Sequence, residues 1–102
     1  MHLRITWGRV KPGQWQNYES TYRRVVLDDQ RSLSGLRGRL LFRDCEDPDS
    51  GGTLSLWDSA EDARAYEEGE LRQAVLPQLE PFFSGEFVTH VCEIRAGELR
   101  AG

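Results

Sequence analysis

The sequence has 102 residues, of which 38% are hydrophobic and 29% charged, with a formal net charge of −4; this is the size and balance of one soluble globular domain spanning residues 1–102. No apolar run approaches the roughly 20 residues of a membrane-crossing helix, so no membrane partner is expected. Basic residues alternate with acidic ones instead of forming a patch, which argues against nucleic acid as the partner.

Leu3 to Val10 alternates, with Leu3, Ile5 and Trp7 on one face and Arg4, Thr6 and Gly8 on the other, the period of a strand. Its start, Met1-His2-Leu3-Arg4-Ile5, has no charged-then-apolar leader. Lys11-Pro12-Gly13 breaks the strand. From Gln14 the period changes: Trp15, Tyr18, Tyr22, Val25 and Val26 recur at helical spacing and predict an amphipathic helix ending before Ser34-Gly35. Leu36 to Arg43 reads as a second strand, with Leu36, Gly38, Leu40 and Phe42 opposed to Arg37, Arg39 and Leu41. Asp44 to Gly52 reads as a polar loop, and Thr53 to Trp57 as a third strand, so that strands two and three form a hairpin.

Asp58-Ser59 opens a second helix. Ser59 suits the cap, while Glu61 and Asp62 suit the positive first turn. Ala63 and Tyr66 give this helix an inward stripe, Gly69 interrupts it, and Leu71, Val75 and Leu79 predict further turns. A break is expected just before Pro77, since proline cannot sit within a regular helix. Phe87 to Arg95 is the fourth strand, followed by a short polar tail. The acidic residues Asp44, Glu46, Asp47 and Asp49 lack calcium-loop spacing, which points to a solvated hairpin loop. Cys45 and Cys92 have neither CxxC nor Cys/His spacing; no metal is expected, and a cytoplasmic chain with reduced thiols is.

The order β-α-β-β-α-β is the ferredoxin-like split unit of the α+β class, an antiparallel sheet with helices on one face. The other face would carry Leu3, Ile5, Trp7, Leu36, Leu40, Phe42, Leu54 and Leu56. An apolar face of that size needs a cover, and a second copy of the same sheet is the simplest one. A homodimer is therefore expected.

Two stretches carry a resemblance: Arg9-Val10-Lys11-Pro12-Gly13 ahead of an aromatic helix, and Ser55-Leu56-Trp57-Asp58-Ser59-Ala60-Glu61-Asp62-Ala63 followed by Ala65-Tyr66. With them the chain resembles, over nearly its whole length, the antibiotic biosynthesis monooxygenase family of the dimeric α/β-barrel superfamily. The resemblance implies two ferredoxin-like sheets closing into one dimeric barrel. Where haem-degrading members carry a strand-one Asn, a helix-two Trp and the ligating His, this chain has Thr6, Tyr66 and Val75, and valine cannot ligate iron. Quinone-forming members need neither metal nor flavin, because the substrate phenolate itself activates oxygen. Of their pocket residues, Trp57 and the Arg72 of Leu71-Arg72 match, while Thr53 stands at an Asn position and Ala63 at a Tyr position.

The resemblance thus implies a monooxygenase without cofactor, acting on a small phenol- or hydroquinone-like aromatic, with Trp57 and Arg72 as catalytic residues. A cavity between sheet and helices would gather Arg4, Thr6, Arg39, Ser55 and Trp57 as its wall. Two readings stand side by side. Either Trp57 stacks an aromatic or acidic ligand and an arginine steadies its anion, or Trp57 fills space under helix two and the arginines pair with carboxylates at the rim. Tyr22 and Tyr66 are ligand contacts or core aromatics with a wet hydroxyl. His90 is a general base or a satisfied strand histidine. A non-catalytic binding or accessory protein using the same pocket is the competing function, and haem binding is a third.

Overall fold

The computed structural model describes residues 1–29 and 33–100. Its elements are β1 (His2–Arg9), α1 (Trp15–Tyr22), a π-helical turn (Arg23–Leu27), β2 (Leu36–Arg43), β3 (Ser50–Trp57), α2 (Ala60–Glu68), α3 (Glu70–Leu79), a 3-10 turn (Glu80–Phe82) and β4 (Val88–Glu93). The strands form one antiparallel sheet in the order β2-β3-β1-β4. This is the expected ferredoxin-like α+β fold. Among the described residues no helix is long and apolar enough to cross a membrane.

Register decides which side chains meet. Residues directly opposite one another in an antiparallel pair share a face. One row across the sheet is Arg39, Ser55, Arg4 and Val91, and the next is Leu41, Thr53, Thr6 and Thr89. These rows face the helices. The intervening rows, with Leu40, Leu54 and Ile5 and with Phe42, Gly52 and Trp7, face outward. The expected outer set holds except at Leu36. The register shifts between Leu36 and Gly38, so that Leu36 lies opposite Trp57 while Gly38 lies opposite Leu56. The alternation therefore slips by one, and Leu36 joins the helix-side face.

The core lies between the sheet and the helices. Trp15, Tyr18, Tyr22 and Val26 from the first helical segment meet Val10, Val75 and Leu79, all buried. Their spacing is the helical stripe legible in the sequence. The helix does not run regularly to Ser34. It is α-helical to Tyr22 and widens into the π-turn, closed by Asp28 N–H on the Arg23 carbonyl at 2.8 Å; residues 30–32, over which its end was expected, lie outside the described ones. The α2 start is as expected, with Asp62 N–H on Ser59 Oγ at 3.1 Å. Gly69 ends α2 and precedes α3 in an extended conformation.

Two expectations fail for physical reasons. The helix α3 continues through Pro77. Proline forfeits only the bond to the Gln73 carbonyl four residues back; both residues are exposed and the helix ends two residues later, so water can replace it. β3 begins at Ser50, not Thr53. Gly51 and Gly52 enter the ladder, and their lack of a Cβ lets neighbouring backbone come close: a Cβ at Gly52 would overlap the Thr6 carbonyl oxygen, and one at Gly51 the Phe42 carbonyl oxygen. Neither backbone atom can swing aside, so Gly52→Ala is expected to destabilise the fold by about 1–3 kcal/mol. Urea unfolding of the variant measures it, and an unchanged midpoint would contradict this packing.

Candidate functional site

The helix-facing rows floor a cavity of about 560 Å³, within the range of sites that hold small organic ligands. Arg4, Thr6, Arg39, Thr53, Ser55 and Trp57 rise from the sheet. Tyr22, Tyr66 and Arg72 descend from the helices, with Val26, Val75 and Leu79 as apolar wall. Nine of the ten residues singled out from sequence therefore line one space. His90 does not. It pairs with Ile5 on the outer face of the edge strand β4 and is exposed, so the alternation that carries Thr89 into the cavity carries His90 away from it.

The charge of this cavity is unusual. Arg4 is 7% exposed. Its Nη2 reaches Glu67 Oε1 at 3.3 Å, a single long contact, while its Nε is buried with no partner. Arg39 donates from Nη2 to the Val26 carbonyl at 2.8 Å. Among the described residues neither Arg39 nor Arg72 takes part in an ion pair. Glu80 and Glu86 also line the space, beyond the end of α3 and before β4. The arginine row and these carboxylates thus lie toward opposite ends, with the threonine row between them; Thr6 Oγ1 and Thr89 Oγ1 are 3.0 Å apart.

Trp57 is 1% exposed. Its indole N–H is donated to Ser55 Oγ at 2.8 Å, and its ring lies 5.3 Å from that of Tyr66, tilted by 33°. The tryptophan holds Ser55 and Tyr66 in place more than it presents a free face. The rest of its local signature also has a folding role. Asp58 accepts from Arg37 Nε at 2.6 Å and donates its N–H to the Gly35 carbonyl at 2.8 Å, and Ser59 caps α2.

Sequence reasoning missed Tyr18, Thr89, Phe83 and Phe87 as lining residues, and Glu67 as the partner of Arg4. Thr89 was available from the alternation of β4, and Tyr18 from the aromatic stripe of α1. The Arg4–Glu67 pair spans 63 positions and left no sequence signal.

Tyr18 and Tyr22 are held as phenols. Burial pushes Tyr22 up to about 12, and Tyr66 nearby adds to this while Arg39 opposes it. Burial, then Tyr22, pushes Tyr18 higher still. In the unfolded chain both ionise near the ordinary value of 10.0, so their contribution to stability is complete below that pH and is lost as pH rises toward about 12 for Tyr22. Ultraviolet titration of the native protein should show the Tyr18 and Tyr22 signals delayed well beyond pH 10.0; all three tyrosines ionising together there, in a folded protein, would contradict this burial.

The chain matches no family model and no curated protein. Its fold, in contrast, recurs among solved structures. A mutant of SnoaB, a cofactor-independent oxygenase from Streptomyces nogalater, superimposes with a TM-score of 0.78 at 14% identity, covering 94% of each chain. An antibiotic biosynthesis monooxygenase superimposes with a TM-score of 0.77 at 17% identity over 94% of this chain and 100% of that one. A conserved protein from Methanosarcina mazei follows at 0.75 and 14% identity, with 93% and 94% covered. At such identities the likeness establishes the fold alone: the ferredoxin-like architecture that these structures share.

Proposed function

We propose that this protein is a cofactor-independent oxygenase of a small hydroxyaromatic molecule, acting as a cytoplasmic homodimer. The observation that carries the reading is the cavity itself, in which aromatic side chains meet the guanidinium groups of Arg4, Arg39 and Arg72; Arg4 has one long contact to Glu67, and among the described residues Arg39 and Arg72 take part in no ion pair. Such groups favour the phenolate over the phenol of a bound ligand and so raise its electron density. A phenolate can reduce dioxygen directly. One oxygen atom enters the ring para to the phenol oxygen, the other leaves as water, and the ring supplies all four electrons as it becomes a quinone. Arg72 would steady the phenolate oxygen. Trp57, buried against Tyr66 and bonded to Ser55, would set the position of both. The solved oxygenase of the same fold supports this chemistry.

A binding protein without turnover is favoured by a different observation: His90 stands outside the cavity and both buried tyrosines stay protonated, which leaves the arginine end with no neutral base beside it. A haem reading is weaker. Val75 occupies the ligating position, and neither His2 nor His90 lines the cavity.

The outer sheet face supports the dimer. Trp7 is stacked on Phe42 and 44% exposed, Leu40 is 61% exposed and Val88 56%. A matching face on a second copy would cover them, in an interface above roughly 2,000 Å².

Oxygen consumption tests the enzyme reading. With a panel of phenols and naphthols, the protein should take up oxygen and release quinone without added metal or flavin. Arg72→Ala should lower kcat/KM about tenfold or more, about 1.4 kcal/mol. Trp57→Phe, which loses the N–H to Ser55, should lower turnover similarly; loss of stability alone, with turnover intact, would make Trp57 a packing residue. Binding across the panel with no oxygen uptake would favour the binding protein. For the dimer, sedimentation at low micromolar concentration should give twice the monomer mass of 11.7 kDa, and Leu40→Arg, placed where the fold already exposes the side chain, should give a folded monomer. A wild-type monomer would contradict the dimer.

A further inference from the structure

Within the proposed site, the arginine end has a geometry that a neutral phenol does not use. Arg4 and Arg39 flank Ser55 in one row of the sheet. With strands about 4.8 Å apart, their backbones stand two strand spacings from each other, with Ser55 on the strand between them. Ser55 Oγ lines the cavity and accepts from the Trp57 indole, which leaves its own hydrogen free to donate to a ligand.

Arg4 supplies the sharper observation. A guanidinium presents two parallel N–H groups to a carboxylate, one from Nε and one from Nη2. Glu67 occupies only the Nη2 position, at 3.3 Å, and Nε remains buried and unpartnered. An unpaired donor of a buried cation is costly. The side chain of Glu67 is 37% exposed, so it sits at the rim and can move away. It has the place and the chemistry of a substitute for a ligand carboxylate.

We infer that the ligand of this cavity is an aromatic carboxylate whose carboxylate seats on the side-on fork of Arg4 and on Ser55, within reach of Arg39, and that Glu67 competes with it for Arg4. The inference rests on the aromatic-ligand reading and adds the second functional group. Glu80 and Glu86 at the other end repel a further negative charge. They orient the molecule, ring toward the threonine row and carboxylate toward Arg4.

Glu67→Gln decides the matter, because it removes the competitor's charge from a half-exposed position. Calorimetric titration compares 1-hydroxy-2-naphthoate with 1-hydroxy-2-naphthamide, equal in shape and different in charge. The wild type should bind the acid about tenfold more tightly than the amide. Glu67→Gln should tighten the acid severalfold and leave the amide unchanged, whereas a merely structural Glu67 would weaken both or neither. Arg4→Met should abolish the preference; if that variant does not fold, the Glu67→Gln comparison still stands. Equal affinities in the wild type, no binding of the acid at any soluble concentration, or a Glu67→Gln variant that does not tighten the acid would each overturn the inference. Oxygen uptake separates it from the oxygenase reading. Selective acid binding without uptake leaves the subsite and removes the oxygenase, and uptake with neutral phenols without acid preference does the reverse.

Discussion

The pairing of β1 with β3 and of β3 with β2 sets Arg4, Ser55 and Arg39 side by side on the helix-facing side of the sheet, and much of what the molecule can do depends on that row. A guanidinium in a protein interior demands compensation. Among the described residues the two arginines of this row receive little: one long contact to Glu67 and one main-chain carbonyl. A fold selected only for stability would fill these positions with valine or leucine, as ordinary half-buried strands do. The sheet instead bears the cost of cations beneath a cavity, an arrangement that fits the proposed ligand site.

The rest of the architecture holds this row open. Gly51 and Gly52 let β3 approach its neighbours more closely than any side chain would permit. Gly8 clears room for Phe87, whose ring lies where a Cβ would project, and Phe87 and Phe83 stack at 4.1 Å to close that end. Trp57 and Tyr66 close the other end and join α2 to the sheet. Between the ends, the threonines and Ser55 supply short hydroxyls that fill little volume. Cavity and core are therefore one packing solution, large aromatics at the margins and small polar groups in the middle.

The sequence made much of this legible. Period two in β1 and β2 and the aromatic stripe of α1 gave the element order, and the same alternation separated the cavity row from the outer face. It misled where local regularity broke, at the slip after Leu36, the π-turn after Tyr22 and the glycines that enter β3, and at Pro77, where the helix ran on through a residue expected to break it. The first three are backbone events with no signature in side-chain periodicity, and the proline is tolerated because the one bond it forfeits lies exposed near the helix end. His90 shows the limit for the site. Its chemistry suggested a base, but parity along β4 turns it outward beside Ile5. The Arg4–Glu67 pair lay beyond reach because the two residues come from elements distant in the chain.

The most direct test of the anion-seeking cavity observes the unpartnered Arg4 Nε–H itself, by NMR of the arginine side chains with the signal assigned through its loss in Arg4→Lys. The account requires this proton to exchange slowly with water, unlike those of exposed residues such as Arg95 and Arg100. It also requires the resonance to move when 1-hydroxy-2-naphthoate is added and to stay nearly still with the amide. A fast-exchanging Arg4 signal that responds to neither ligand would contradict the account.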